Sequence, residues 1–108
     1  NEMNKIIGVT SSSPAYVFKL IDAIYKGAVA QGIEQDGLLD AICDVFIGSA
    51  ALLKSSPELP EHLISRVASK GGTTERAMSV LNNENIEKII SNAMTACTER
   101  ADELGKTK

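Results

Sequence analysis

Apolar residues return every three or four positions after Pro14, so that Val17, Leu20, Ile21, Ile24 and Ala28 share one helical face. Phe18, Tyr25 and Val29 widen that face, as in a helix buried on more than one side. The run Thr10 to Tyr16 predicts the helix start, with Ser13 as cap and Pro14 at the first helical position. Its hydroxyls suit a cap or a ligand contact, and Gly32 is a stop. A second helix is predicted from about Asp36 to Lys54, through Leu38 or Leu39, Ile42, Val45 or Phe46, and Leu53. Its Gly48-Ser49-Ala50-Ala51 patch is small on all sides, which marks a crossing point within the chain or with a second copy. After a turn at Ser55 to Pro60, a short helix runs through Val67, with Glu61 in its favourable first turn. Another short helix carries Ala77, Met78, Val80 and Leu81. Asn82-Asn83 breaks the pattern, and Asn83 is predicted to cap a last helix that runs from Ile86 through Cys97 and Leu104. Gly105 is its expected end, and Lys106-Thr107-Lys108 a solvated tail. Asn1 to Val9 reads as a lead-in strand or connector. The expectation is an all-α domain of about five helices with no firm strand.

Between the third and fourth of these helices lies Ser69-Lys70-Gly71-Gly72-Thr73-Thr74-Glu75. Gly71 and Gly72 can adopt backbone angles closed to other residues and leave room for a ligand near the main chain. Thr73 and Thr74 can cap the next helix, whose first amides are free and whose dipole is positive there. Converging amides and hydroxyls at a helix start suit a carboxylate or phosphate. The same residues also spell a Gly C-cap followed by a Thr N-cap. Local pattern leaves both open.

Composition narrows the class. With 44 % hydrophobic and 23 % charged residues the chain has an ordinary globular balance, and 108 residues suit one domain. Tyr16, Phe18, Tyr25 and Phe46 are its only aromatics, so any core is aliphatic, as in packed helices. A net charge of −3 with scattered basic residues argues against nucleic acid as a partner, which needs a concentrated positive face. No apolar run approaches the roughly 20 residues needed to cross a bilayer, and no signal peptide is visible. Cys43 and Cys97 are far apart and without clustered histidines, so they are expected as buried, reduced thiols and not as metal ligands. His62, the single histidine, stands in an exposed first turn beside Glu61 and reads as a surface residue. The chain opens on Asn and not Met, a pattern expected of a fragment or processed chain. The wide apolar arcs exceed what a small monomer hides, and association is expected.

Four stretches together resemble the C-terminal domain of pyrroline-5-carboxylate reductase: SSSPAY at Ser11 to Tyr16, FIGSAALL at Phe46 to Leu53, RVASKGGTT at Arg66 to Thr74, and ERADELGK at Glu99 to Lys106. They fall in the family's order over nearly the whole chain. Ser11 and Ser13 replace usual glycines, and Lys70 replaces a usual Pro. The resemblance implies a helical domain of the 6-phosphogluconate-dehydrogenase C-terminal type, forming an interlocked homodimer that is sometimes built into larger rings. It implies a cytoplasmic enzyme of proline biosynthesis that reduces 1-pyrroline-5-carboxylate to L-proline with NADPH or NADH. The nucleotide belongs to an N-terminal Rossmann domain, for which no glycine-rich signature exists here, so residues 1–108 are expected to be the dimerisation and substrate-binding domain alone. In isolation that unit is expected to bind no nucleotide and to be inactive. The implied substrate-carboxylate contacts are Ser69, Gly71, Gly72, Thr73 and Thr74, with Val67 lining the approach. No catalytic or metal-binding residue is implied. Two other readings stand beside this one: a homodimerisation module whose GGTT junction is only a cap, and a helical adaptor whose groove accepts a partner helix.

Overall fold

The computed structural model describes residues 2–106, and Asn1, Thr107 and Lys108 lie outside them, together with most of the expected solvated tail. Six helices follow one another: α1 (Glu2–Thr10), α2 (Ser13–Ala30), α3 (Leu38–Ser55), α4 (Pro60–Val67), α5 (Thr73–Asn83) and α6 (Ile86–Lys106). No strand occurs among the described residues, and the five helices expected from periodicity are all present. The lead-in segment is a correction, since Glu2–Thr10 is helical and not a strand or connector. Its β-branched residues favour a strand in isolation, but Gly8 and Asn4 find their partners on α6, and that packing overrides propensity.

The helices divide into two compact units, Asn1–Val17 with Arg76–Lys108, and Phe18–Glu75. In the first, α1 lies along α6. Gly8 is buried there, and a Cβ added to it would stand 4.0 Å from the Cys97 Sγ. Asn4 donates its side-chain amide to Asp102. The end of α1 is closed by Ser11 N–H and Ser12 N–H, both donating to the Ile7 carbonyl at 2.9 and 3.0 Å. Ser13 is not the expected cap of α2. It is the first residue of that helix, and its hydroxyl turns back to the Gly8 carbonyl at 3.3 Å.

In the second unit, α2 stops where Gly32 takes φ 88°, with Gly32 N–H on the Val29 carbonyl and Ile33 N–H on that of Ala28. Gly37, also left-handed at φ 71°, opens α3. α4 begins at Pro60 as expected, carries Glu61 in its first turn, and is braced by an ion pair between Arg66 and Glu58. His62 is exposed.

The two ends of α6 also depart from expectation. α5 continues through Asn83, and the chain turns at Asn85, which is left-handed at φ 58°. Ile89 N–H then donates to the Asn85 carbonyl at 3.0 Å, the first turn of α6. Gly105 does not end α6, which runs to Lys106. A helical Gly costs only about 1 kcal/mol against Ala, too little to override a neighbour that favours helix.

Candidate functional site

The SKGGTTE junction links α4 to α5 within a few residues. Val67 is the last residue of α4 and is 70 % exposed. The chain then tightens, with Ser69 N–H on the Val67 carbonyl at 3.1 Å and Gly72 N–H on the Ser69 carbonyl at 2.9 Å. Gly71 takes φ 77°, a left-handed angle that L side chains resist. At Gly72 the constraint is space: an added Cβ would lie 2.8 Å from the Ser69 Oγ and 3.1 Å from the Ser69 carbonyl oxygen. Each glycine thus eases a constraint, a backbone angle at Gly71 and close space at Gly72.

α5 starts at Thr73, so Gly72 holds the cap position, and Thr73 and Thr74 are the first two helical residues. The expected threonine caps are therefore not formed. Among the described residues the hydroxyls of Ser69, Thr73 and Thr74 take no hydrogen-bond partner, while Thr74 is half-buried and the other two are exposed. Capping falls to Glu75, whose carboxylate accepts the Gly71 N–H at 2.9 Å. The reach from the third helical position back across the cap is the geometry of half a capping box. Sequence reading did not single out Glu75, although its spacing after Gly72 is the capping-box signal. The site therefore combines an acceptor-filled amide at Gly71 with three open hydroxyls around a helix start. Lys70 is exposed beside it.

The other hydroxyl run behaves differently. Ser12 Oγ and Cys97 Sγ lie 3.2 Å apart, and the Cys97 thiol also acts on the Tyr16 phenol. Partial desolvation, with the thiol second, pushes the Tyr16 phenol above its ordinary value. Both cysteines are free and only half-buried. On α2, a hydrogen bond from Lys26 at 2.8 Å holds Asp22 below the usual carboxylate range and raises Lys26 in turn. Among the described residues no group of three or more His, Cys, Asp or Glu could hold a metal ion. No described helix is long and apolar enough to cross a membrane.

The small patch on α3 is open. Nothing lies within 4 Å of a Cβ built on Gly48. Beside it Ile24, Val45, Phe46, Ser49, Ala50 and Leu53 line a depression of about 420 Å³. In the other unit, a groove of about 770 Å³ between α1 and α6 is lined by Lys5, Val9, Ile86, Ile90, Met94 and Glu99 among others.

Open apolar helix faces together with a glycine-hinged helix start define the class: an all-helical association domain. Its family is the pyrroline-5-carboxylate reductase dimerisation family, to which the chain belongs by a match over residues 1–104. It is 34 % identical over 105 residues to a pyrroline-5-carboxylate reductase of Escherichia coli, and 33 % over 105 residues to one of Vibrio alginolyticus. These alignments take in 97 % and 96 % of the chain but only 39 % of each relative, so the chain spans about two fifths of their length. A Streptococcus pyogenes 1-pyrroline-5-carboxylate reductase structure superposes with a TM-score of 0.89 at 28 % identity, over 93 % of this chain and 39 % of that one. The fold is shared as well with an NADP-bound Plasmodium falciparum pyrroline carboxylate reductase, at TM-score 0.91 and 22 % identity, covering 96 % of this chain and 42 % of that one.

Proposed function

We propose that this chain supplies homodimerisation and substrate-carboxylate binding to an enzyme that reduces 1-pyrroline-5-carboxylate to L-proline with NADPH or NADH. Support comes from the family, from its NADP-bound structural neighbour, and above all from the open hydroxyls of Ser69, Thr73 and Thr74 at the start of α5. In the reaction a hydride reaches an imine carbon, and a protonated imine is the better acceptor. The nicotinamide supplies the hydride when bound. The described residues include no strand, and the Rossmann dinucleotide site is built on one, so no residue of this chain is assigned to the nucleotide. On this reading the chain alone transfers no hydride. Its own task is to hold the carboxylate by neutral N–H and O–H donors, fixing the ring's position without adding a competing charge.

The alternative, a dimerisation module whose GGTT junction only caps α5, requires threonine hydroxyls turned onto backbone amides. Glu75 makes the observed bond across the cap instead, which favours the binding role for Thr73 and Thr74. The test is Thr74→Val in the full-length reductase, with the oligomeric state checked in parallel. We expect KM for the imine substrate to rise roughly tenfold, the scale of one lost hydrogen bond to a charged group. Unchanged kinetics with an intact dimer would leave only the capping role.

A further inference from the structure

Between Val67 and Glu75 the junction carries two charged side chains, Lys70 and Glu75, and both are exposed. Their parts in the bend are unequal. Glu75 is engaged, since its carboxylate accepts the Gly71 N–H at 2.9 Å. Lys70 takes no hydrogen bond or ion pair among the described residues, whereas the cation four residues before it, Arg66, is held by Glu58. The chain itself places Lys70 beside Glu75. The amide that Glu75 fills closes the Lys70–Gly71 peptide bond, so the Lys70 Cα stands about 2.4 Å from that nitrogen. It therefore lies no more than about 5.3 Å from the Glu75 oxygen, a distance that the flexible four-carbon stem of lysine spans. Nothing lies within 4 Å of a Cβ built on Gly71, which leaves the space beside Lys70 open.

An arriving anion upsets this arrangement. A net charge of −3 gives the chain no general attraction for it. A second carboxylate at the Gly71 amide stands a few ångströms from that of Glu75, and like charges at that range oppose binding. Resting on the carboxylate-binding reading above, we propose that Lys70 is a positioning residue for the substrate: as the substrate carboxylate takes the Gly71 N–H, the Lys70 ammonium takes the Glu75 carboxylate. The exchange leaves each carboxylate with a donor and cancels the like charge beside the ligand. Without a ligand, Glu75 keeps the amide satisfied and Lys70 stays in water, where an ammonium is strongly hydrated.

The test is a double-mutant cycle on KM for the imine substrate in the full-length reductase, with Lys70→Met, Glu75→Gln and the pair. Met keeps an unbranched stem and removes the charge, while Gln keeps an acceptor for Gly71. Lys70→Met is expected to raise KM about fivefold, the scale of one unit charge at about 4 Å in water. The rise falls on KM and not on kcat, because the exchange is complete before hydride transfer. With Glu75→Gln already in place, the same change is expected to move KM by no more than about twofold, since no carboxylate then needs the ammonium. Lys70→Arg keeps the cation and is expected to keep KM near its original value; a KM as high as that of Lys70→Met would overturn a role for the charge. An equal rise in both backgrounds would put Lys70 directly on the substrate and overturn the exchange. No rise in either would make Lys70 a solvated surface residue and overturn it too. Thr74→Val separates these failures from failure of the underlying reading. If it raises KM while the cycle shows no coupling, the carboxylate site stands without the exchange; if none of the variants moves KM, both fall.

Discussion

Glu75 shows how one side chain can serve the fold and oppose the ligand. Its carboxylate satisfies the Gly71 N–H and sits at the positive end of the α5 dipole, both favourable in the absence of a ligand. A substrate carboxylate drawn to the same helix start meets this like charge and competes for the same amide. Glutamine keeps an acceptor for Gly71 and removes the charge. Glu75→Gln in the full-length reductase is therefore expected to lower KM a few-fold with kcat unchanged, the scale of one unit charge a few ångströms away in a solvated site. A KM indifferent to the change would place the substrate carboxylate away from the α5 start. The glycines do not share this ambivalence. Gly71 supplies a left-handed angle that most L residues resist, and Gly72 an absent Cβ beside Ser69.

Among the elements, the helices with long apolar periods were legible, because a three-to-four spacing over several turns has one simple reading. α1 was not. Its short stretch with Ile6, Ile7 and Val9 favours a strand in isolation, and what makes it a helix is Asn4 and Gly8 meeting α6 at the far end of the chain. The junction's break was legible in Gly71 and Gly72, while the way Glu75 folds back was not, since the same spacing allows an outward rotamer. The small patch on α3 was legible as a run of small residues, while what crosses it, within the chain or from a second copy, is not set by local pattern. The α1–α6 pairing carries its own pH dependence. The Asn4 amide bond, the largest influence, holds Asp102 below the usual carboxylate range, against a desolvation that would raise it. A folded-state value lowered in this way stabilises above the unfolded value of about 3.9 and is lost as pH falls through the folded one. Asn4→Ala should move the Asp102 titration, followed by NMR, up toward that ordinary value and speed amide exchange along α1 at neutral pH. An Asp102 that titrates alike in both proteins would remove the bond from this account.

For the molecule as a whole, the balance of charge and apolar surface predicts how it responds to salt. Three ion pairs are local: Asp22 with Lys26 and Arg100 with Glu103 each lie within one helix, and Glu58 with Arg66 spans eight residues. Such exposed pairs contribute little and are screened by salt. The surface left for association is instead apolar, led by Phe18, Val45, Ile47 and Leu52. Apolar association is strengthened by excluded salts such as sulfate and weakened by cooling, because its driving force near room temperature is entropic. The dimer is thus expected to hold, or tighten, from low salt to molar sodium sulfate, and to dissociate more readily near 0 °C than at 25 °C. Sedimentation across that range reads both effects. Dissociation on adding salt would mean that charge pairing between copies holds the assembly, and that the apolar faces of α2 and α3 are covered by something other than a twin chain.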